Sequence, residues 1–283
     1  MAIFCLGSIN ADFFYDVPQI PAPGETLASL GHRKGLGGKG ANQSVAAAKA
    51  GSKVIHVGAV GEDGAWAIER LNAFGVDTSG IATSSEATGH AMIMLDPEGE
   101  NAILLHGGAN VNLQDSAVSE TLSQLKPGDY LILQNETNAQ VTAASLAAEK
   151  GAKVVYSAAP FDVTAVQDVA PFVDILIMNE IEAQQLKDAI GPIPDGPATL
   201  VTKGSEGAEW TDGADRLHVP ARKVTPVDTT GAGDTFAGYF VAGLDQGLTV
   251  KAAMERASAA AALKVTRRGT ADAIPTLNEV LAF

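Results

Sequence analysis

The stretch Val227-Asp228-Thr229-Thr230-Gly231-Ala232-Gly233-Asp234-Thr235-Phe236 places a carboxylate where glycine-rich backbone gives way to a helix. Thr235 to Leu244 carries apolar residues at helical spacing (Phe236, Tyr239, Phe240, Leu244), and Arg222 to Asp228 before it reads as a short extended segment. Gly231 and Gly233 can take backbone angles closed to other residues. Successive N–H groups can therefore converge at the positive end of the helix dipole, a junction that suits phosphate. A carboxylate there repels bound phosphate unless it has a task, and taking the proton from an attacking hydroxyl is such a task. The alternative for Asp234 is a helix cap after a glycine-rich turn.

Outward from this stretch, compact apolar runs alternate with amphipathic ones, the pattern of parallel strands joined by helical crossovers. Val54–Val57 leads to Gly64–Phe74, and Tyr130–Leu133 to Ala139–Lys150, which Gly151 closes. Val154–Tyr156 follows, Asp174–Met178 leads to Glu180–Ala189, and Thr199–Val201 runs into a turn. Helices from Asp234 and from Val250 complete an α/β fold: an open, mostly parallel sheet flanked by helices. Two segments break the rhythm. Ala11–Lys34 contains Pro18, Pro21 and Pro23, and His90–His106 reads as two strands turning at Asp96-Pro97-Glu98-Gly99. They predict a small sheet, a lid contributed by residues 10–36 and 86–107, on a single domain spanning 1–283. An uncovered edge or face there favours pairing with a second chain, a homodimer through the lid.

With 283 residues and 46% hydrophobic content, the chain can bury one large core. A formal charge of -14 argues against nucleic acid or an anionic membrane surface as partner, and requires any phosphate site to be made locally. Cys5 is the single cysteine, so no disulfide framework exists. No run approaches the length of a membrane span and no signal-like start is present, which predicts a soluble, cytoplasmic protein.

Gly35, Gly37 and Gly40 formally match a dinucleotide fingerprint, but the polar Gly31-His32-Arg33-Lys34 before them cannot be its buried strand. Lys39 is followed by Gly40, not Ser or Thr, which excludes a Walker A loop. Leu36-Gly37-Gly38-Lys39-Gly40-Ala41-Asn42 remains as a close-approach loop with one cation and one amide. Asn10, Asp12 and Asn42 suit a polyol, since a carboxylate accepts from two hydroxyls while an amide donates and accepts; turn formation is the plainer role for each. Glu136, Asn179, Glu182, Thr202, Gly204 and Gly207 all follow strand runs, at the ends where open α/β sheets bind ligands. Asn179 and Glu182 also have capping-box spacing. No C-x-x-C, H-E-x-x-H or G-x-S-x-G occurs, and the five histidines are scattered.

Taken in order, Gly7-Ser8-Ile9-Asn10-x-Asp12, Pro23-Gly24-Glu25-Thr26, Gly37 to Asn42, Asn179-Glu180-x-Glu182 and Asp228 to Asp234 resemble the ribokinase family, the PfkB carbohydrate kinases, over nearly the whole chain. Glu98-Gly99-Glu100-Asn101 adds to the likeness with its ribokinase branch. The resemblance implies a ribokinase-like fold and ATP-dependent transfer of the γ-phosphoryl group to the primary hydroxyl of a pentose, D-ribose first. It implies Asp234 as catalytic base, with Gly231, Ala232 and Gly233 as anion hole. Asn10, Asp12, Gly38, Lys39, Asn42 and Glu136 are implied at the sugar, and Asn179, Thr202, Gly204, Gly207 and Ser258 at the nucleotide. Glu182 is implied at a water-bound Mg2+. A monovalent cation, K+, is implied beside Asp228, Thr230, Lys264, Arg267 and Gly269. The family's Ser is replaced by Ala273, which removes a side-chain oxygen from that last site.

Two rivals stand beside this reading. A same-fold kinase for a nucleoside would need a stacking aromatic such as Phe13, Phe14 or Tyr15, and one for a phosphosugar would need Arg33 or Lys34 beside Lys39; a sugar acid is a further acceptor. An inactive sugar-binding sensor on the same scaffold is the second rival, and the intact Gly231–Asp234 stretch weighs against it.

Overall fold

The computed structural model describes residues 1–98, 100–191 and 196–283; Gly99, the last residue of the expected Asp96–Gly99 turn, lies outside them. In chain order the elements are β1 (Ile3–Leu6), β2 (Asn10–Asp16), β3 (Gly31–Gly37), α1 (Lys39–Lys49), β4 (Val54–Gly61), α2 (Ala65–Ala73), β5 (Asp77–Ser84), β6 (Gly89–Leu95), β7 (Asn101–His106) and α3 (Asp115–Leu122). There follow β8 (Tyr130–Gln134), α4 (Gln140–Glu149), β9 (Lys153–Ser157), α5 (Val163–Val169), β10 (Ile175–Asn179), α6 (Glu180–Ile190), β11 (Ala198–Thr202), β12 (Ala208–Asp212), β13 (Asp215–Val219), α7 (Ala232–Asp245), α8 (Val250–Val265) and α9 (Leu277–Ala282).

Nine strands form the main sheet in the order β13-β12-β11-β10-β9-β8-β1-β4-β5, parallel from β11 to β5 and antiparallel through β12 and β13. The central strands are apolar on both faces because helices cover both. Ile3, Cys5, Ile132 and Val155 meet α1, α2, α7, α8 and α9 on one side; Phe4, Leu6, Leu131, Leu133 and Tyr156 meet α3 to α6 on the other. From β1 the chain builds outward to β4 and β5, then returns to lay β8 on the opposite side of β1. That reversal opens a crevice beyond the carboxyl ends of β1 and β8, the place where such sheets bind ligands.

The small sheet has the order β3-β2-β6-β7. β2 pairs antiparallel with β3 and parallel with β6, so Asn10 lies opposite both Gly37 and Gly89, at the end nearest the crevice. Alternation puts Asn10, Asp12 and Phe14 on one face and Phe13 and Tyr15 on the other. Arg222–Asp228 is no strand but a connection from β13, held by Val227 and Asp228 N–H groups that both donate to the Val265 carbonyl at 2.7 and 3.1 Å. The turn after β11 opens the β12–β13 hairpin, and β5 forms the other edge. No helix among the described residues is long and apolar enough to cross a membrane.

Candidate active site

Gly231 precedes α7 in the left-handed region, φ 73°, which turns the chain sharply into the helix. Asp234 sits in the first helical turn, 9% exposed, and caps nothing: the N-cap position is Gly231. Its carboxylate is clamped from α1. Asn42 Nδ2 donates to one oxygen at 3.0 Å and Gln43 Nε2 to the other at 3.1 Å. Gln43 in turn accepts from Gln134 Nε2 at 2.9 Å, so a buried amide chain runs from β8 to Asp234. Neither glutamine is visible as a site residue in the sequence, because each acts only through contacts made across the fold. The packing of α1 on α7 creates the clamp.

The glycines of the Gly37–Asn42 loop answer to packing. A Cβ on Gly37 would meet the Asp12 carboxylate; one on Gly38, φ 91°, would lie 2.6 Å from the Ser8 carbonyl; one on Gly40 would lie 2.5 Å from Gly7. The loop thereby locks onto the end of β1. Lys39 N–H donates to Glu136 at 3.1 Å, and Ser8 Oγ donates to the same carboxylate oxygen, bridging β1 and β8 across the crevice. Asn10 Oδ1 accepts from the buried Asn110 Nδ2 at 2.7 Å, and Asn110 also bonds both backbone groups of Ile9. Asn110 is a second buttress the sequence does not reveal.

A cavity of about 210 Å³ is lined by Lys39, Ser157, Asn179, Glu182, Thr202, Thr229 and the turn Gly231–Asp234, among others. Asn179 and Glu182 form a true capping box, Asn179 Oδ1 accepting from Glu182 N–H and Glu182 Oε2 from Asn179 N–H, both at 2.8 Å, and still line the cavity. Ala232 spends its N–H on the Thr229 carbonyl at 3.2 Å, so it contributes less to an anion hole than its position suggests. The positive end of α7 faces the same cavity. Gly204, Gly207 and Ser258 stand outside this lining; Ser258 Oγ donates to the Pro220 carbonyl at 3.4 Å. A much larger groove of about 960 Å³ lies at the opposite, amino-terminal edge of the sheet, lined by Tyr130, Lys153, Asp174 and Ala198, far from these groups.

Carboxylates dominate the electrostatics. Burial, with Glu136 and Asp234 nearby, pushes Asp12 up to about 7. Burial also raises Glu182, against the pull of the Asn179 N–H and Lys39. Burial would lower Lys39, but Asp234, Glu136 and Glu182 outweigh it and hold the ammonium above its usual range. The Asn42 side-chain oxygen is buried without a partner. Among the described residues no group of three His, Cys, Asp or Glu could hold a metal ion by itself. The residues expected at a monovalent cation do not offer a cage. Asp228 accepts from Thr230 N–H and Gly269 N–H, both at 2.9 Å, and these bonds with Lys264 keep it below the usual range despite burial. Arg267 reaches away to Glu279 at 2.7 Å, and Ala273 brings no oxygen on its side chain.

A helix head beside a clamped carboxylate, at the carboxyl edge of a parallel sheet, is the arrangement that phosphoryl transfer to an alcohol calls for. Residues 2–277 match the pfkB family of carbohydrate kinases, and the chain belongs to that family. A ribokinase of Haemophilus influenzae is 37% identical over 299 residues, covering 98% of this chain and 96% of its own. A deoxyribokinase of Salmonella typhi is 33% identical over 297 residues, with 99% and 97% covered. The structure of an Arabidopsis thaliana ribokinase complexed with ribose and ATP matches with a TM-score of 0.89 at 29% identity, covering 100% of this chain and 98% of that one. The chain is a carbohydrate kinase of the ribokinase fold.

Proposed function

We propose that this kinase transfers the γ-phosphoryl group of ATP to the primary hydroxyl of D-ribose. The observation that carries the proposal is the Asp234 carboxylate, fixed by Asn42 and Gln43 at the mouth of α7 in the cavity that also holds Lys39. Phosphoryl transfer needs alignment and charge neutralisation more than covalent help. Asp234 takes the proton of the attacking hydroxyl; Gly231, Ala232 and Gly233 offer the helix head to the transferred group, and Lys39 offsets its charge. Asn10, Asp12, Gly38, Asn42 and Glu136 bind the sugar hydroxyls. Asn179, Thr202, Gly204, Gly207 and Ser258 border the nucleotide.

A triphosphate adds negative charge to a site already ringed by Asp12, Glu136, Glu182 and Asp234. Glu182 would be the hard oxygen donor to a water-bound Mg2+, which would supply charge neutralisation there. The chain's residues do the positioning. An unphosphorylated acceptor is favoured because Arg33 pairs with Asp16 at 3.2 Å and Lys34 lies 3.9 Å over Trp66, so neither joins Lys39. Phe13 stacks on His32 and Tyr15 packs against it at a tilt on the far face of β2, and Phe14 packs with Ala91 and Ile93, which leaves no stacking aromatic for a nucleobase among these three. The small sheet acts as a lid that excludes competing water. Cys5, a buried free thiol, suits the reducing cytoplasm.

Replacing Asp234 by Asn keeps the shape and removes the base. The variant is expected to bind ribose and ATP as before while kcat falls by roughly 10² to 10⁴. Near-normal turnover would remove Asp234 from the mechanism.

A further inference from the structure

Lys264 is among the largest fully buried side chains of the chain, with none of its surface exposed. It belongs to the last turn of α8, where a helix favours a cation, yet it turns inward. Its ammonium donates to the Asp228 carbonyl at 2.9 Å and stands 3.9 Å from the Asp228 carboxylate. An ammonium with no exposed surface must be held by such partners.

The surroundings are filled to match. Asp228 already accepts from Thr230 and Gly269, and the Lys264 carbonyl accepts from Arg267 N–H at 3.0 Å. Thr270 Oγ1 donates to the Leu36 carbonyl at 2.6 Å, which ties the same loop to the end of β3. A second cation placed beside Asp228 would face the Lys264 ammonium at close range and be repelled.

We propose that the Lys264 ammonium stands in for the monovalent cation that the family resemblance puts beside Asp228, so that this kinase turns over without potassium. Lys264 then acts as a positioning residue. It fixes Asp228, and through Thr229 and Thr230 the turn that delivers Gly231–Asp234 to the cavity. The kinetic arm of the test rests on the kinase reading; the melting arm does not.

Activity with ribose and with other pentoses is measured while KCl is exchanged for tetramethylammonium chloride at constant ionic strength. Melting of the intact protein is followed in the same series. The wild type is expected to change neither kcat/KM nor Tm with potassium. Lys264→Ala and Lys264→Met, each leaving Asp228 uncompensated, are expected to lose about 10-fold to 100-fold in kcat without potassium. Potassium should restore part of that loss in the smaller Ala variant and raise its Tm. Potassium activation or thermal stabilisation of the wild type overturns the proposal, and that measurement needs no variant to fold. Equal turnover of wild type and Lys264→Ala in the absence of potassium also overturns it. A chain inactive on every acceptor would sink the kinase reading, while an unchanged wild-type Tm would leave the cation claim standing.

Discussion

In the proposed sugar site, Asp12 would couple binding to pH. Its position opposite Gly35 in β3 and Ala91 in β6 buries it, and with Glu136 and Asp234 close by it titrates at about 7. Below that value it keeps a proton; above it, it is a carboxylate able to accept from two hydroxyls. The apparent affinity for the sugar should therefore rise as pH climbs to about 7 and level off beyond it. In the absence of sugar the sign for stability is opposite: the raised value favours the fold below the ordinary 3.8, and this contribution is lost as pH rises through about 7. A KM profile for ribose checks the first effect, and Asp12→Asn should flatten it. Asp12, Asn42 and Asp234 draw notice in the sequence because each stands beside a strand end or a glycine-rich loop, and the structure brings Asn42 against Asp234. Gln43, Gln134 and Asn110 draw none, since an amide inside an Ala-rich helix or at a strand end has no meaning until its partner 91 to 191 residues away is known. Lys264 differs from them: the family resemblance puts it near a cation, but nothing in the sequence tells that its ammonium turns inward onto the Asp228 carbonyl.

At the scale of elements, the clamp depends on how closely α1 meets α7. A Cβ on Gly238 would lie 2.5 Å from both the Ala46 Cβ and the Gln43 carbonyl, so the helices touch where only glycine fits. Gly238→Val should cost about 1–3 kcal/mol of stability by overpacking. The same change moves Gln43 and Asn42 against Asp234, so kcat should fall more than the melting temperature suggests. Denaturant unfolding and kinetics on one preparation test this. The central parallel strands were legible because burial on both faces demands compact apolar runs. The edges were not. β5 is half exposed, the β12–β13 hairpin carries Glu209, Asp212, Asp215 and Arg216, and α3 and α5 are only 8 and 7 residues long. Elements that bury little leave little periodicity to read.

Among the described residues, the β7 edge of the small sheet carries an exposed apolar run. β7 closes the small sheet with Ile103, Leu104 and Leu105 exposed by 58, 65 and 48%, next to an exposed Met92 on β6. Such an edge invites a second strand or sheet, and a second copy of this chain is the occupant this account expects. Leu104→Lys should shift the sedimenting species from dimer to monomer. An unaltered dimer would place the contact elsewhere, and a monomeric wild type would remove it. Binding a second lid would also shape the acceptor pocket, since β2 and β6 present Asn10, Asp12 and Gly89 to it. The claim on which everything else rests is the reaction itself. It is tested most directly by ADP release from ATP and Mg2+ with D-ribose, 2-deoxyribose, fructose and adenosine as acceptors. The account predicts the highest kcat/KM for ribose, with phosphate on its primary hydroxyl. Turnover confined to adenosine, or ligand binding with no ADP release on any acceptor, would contradict it.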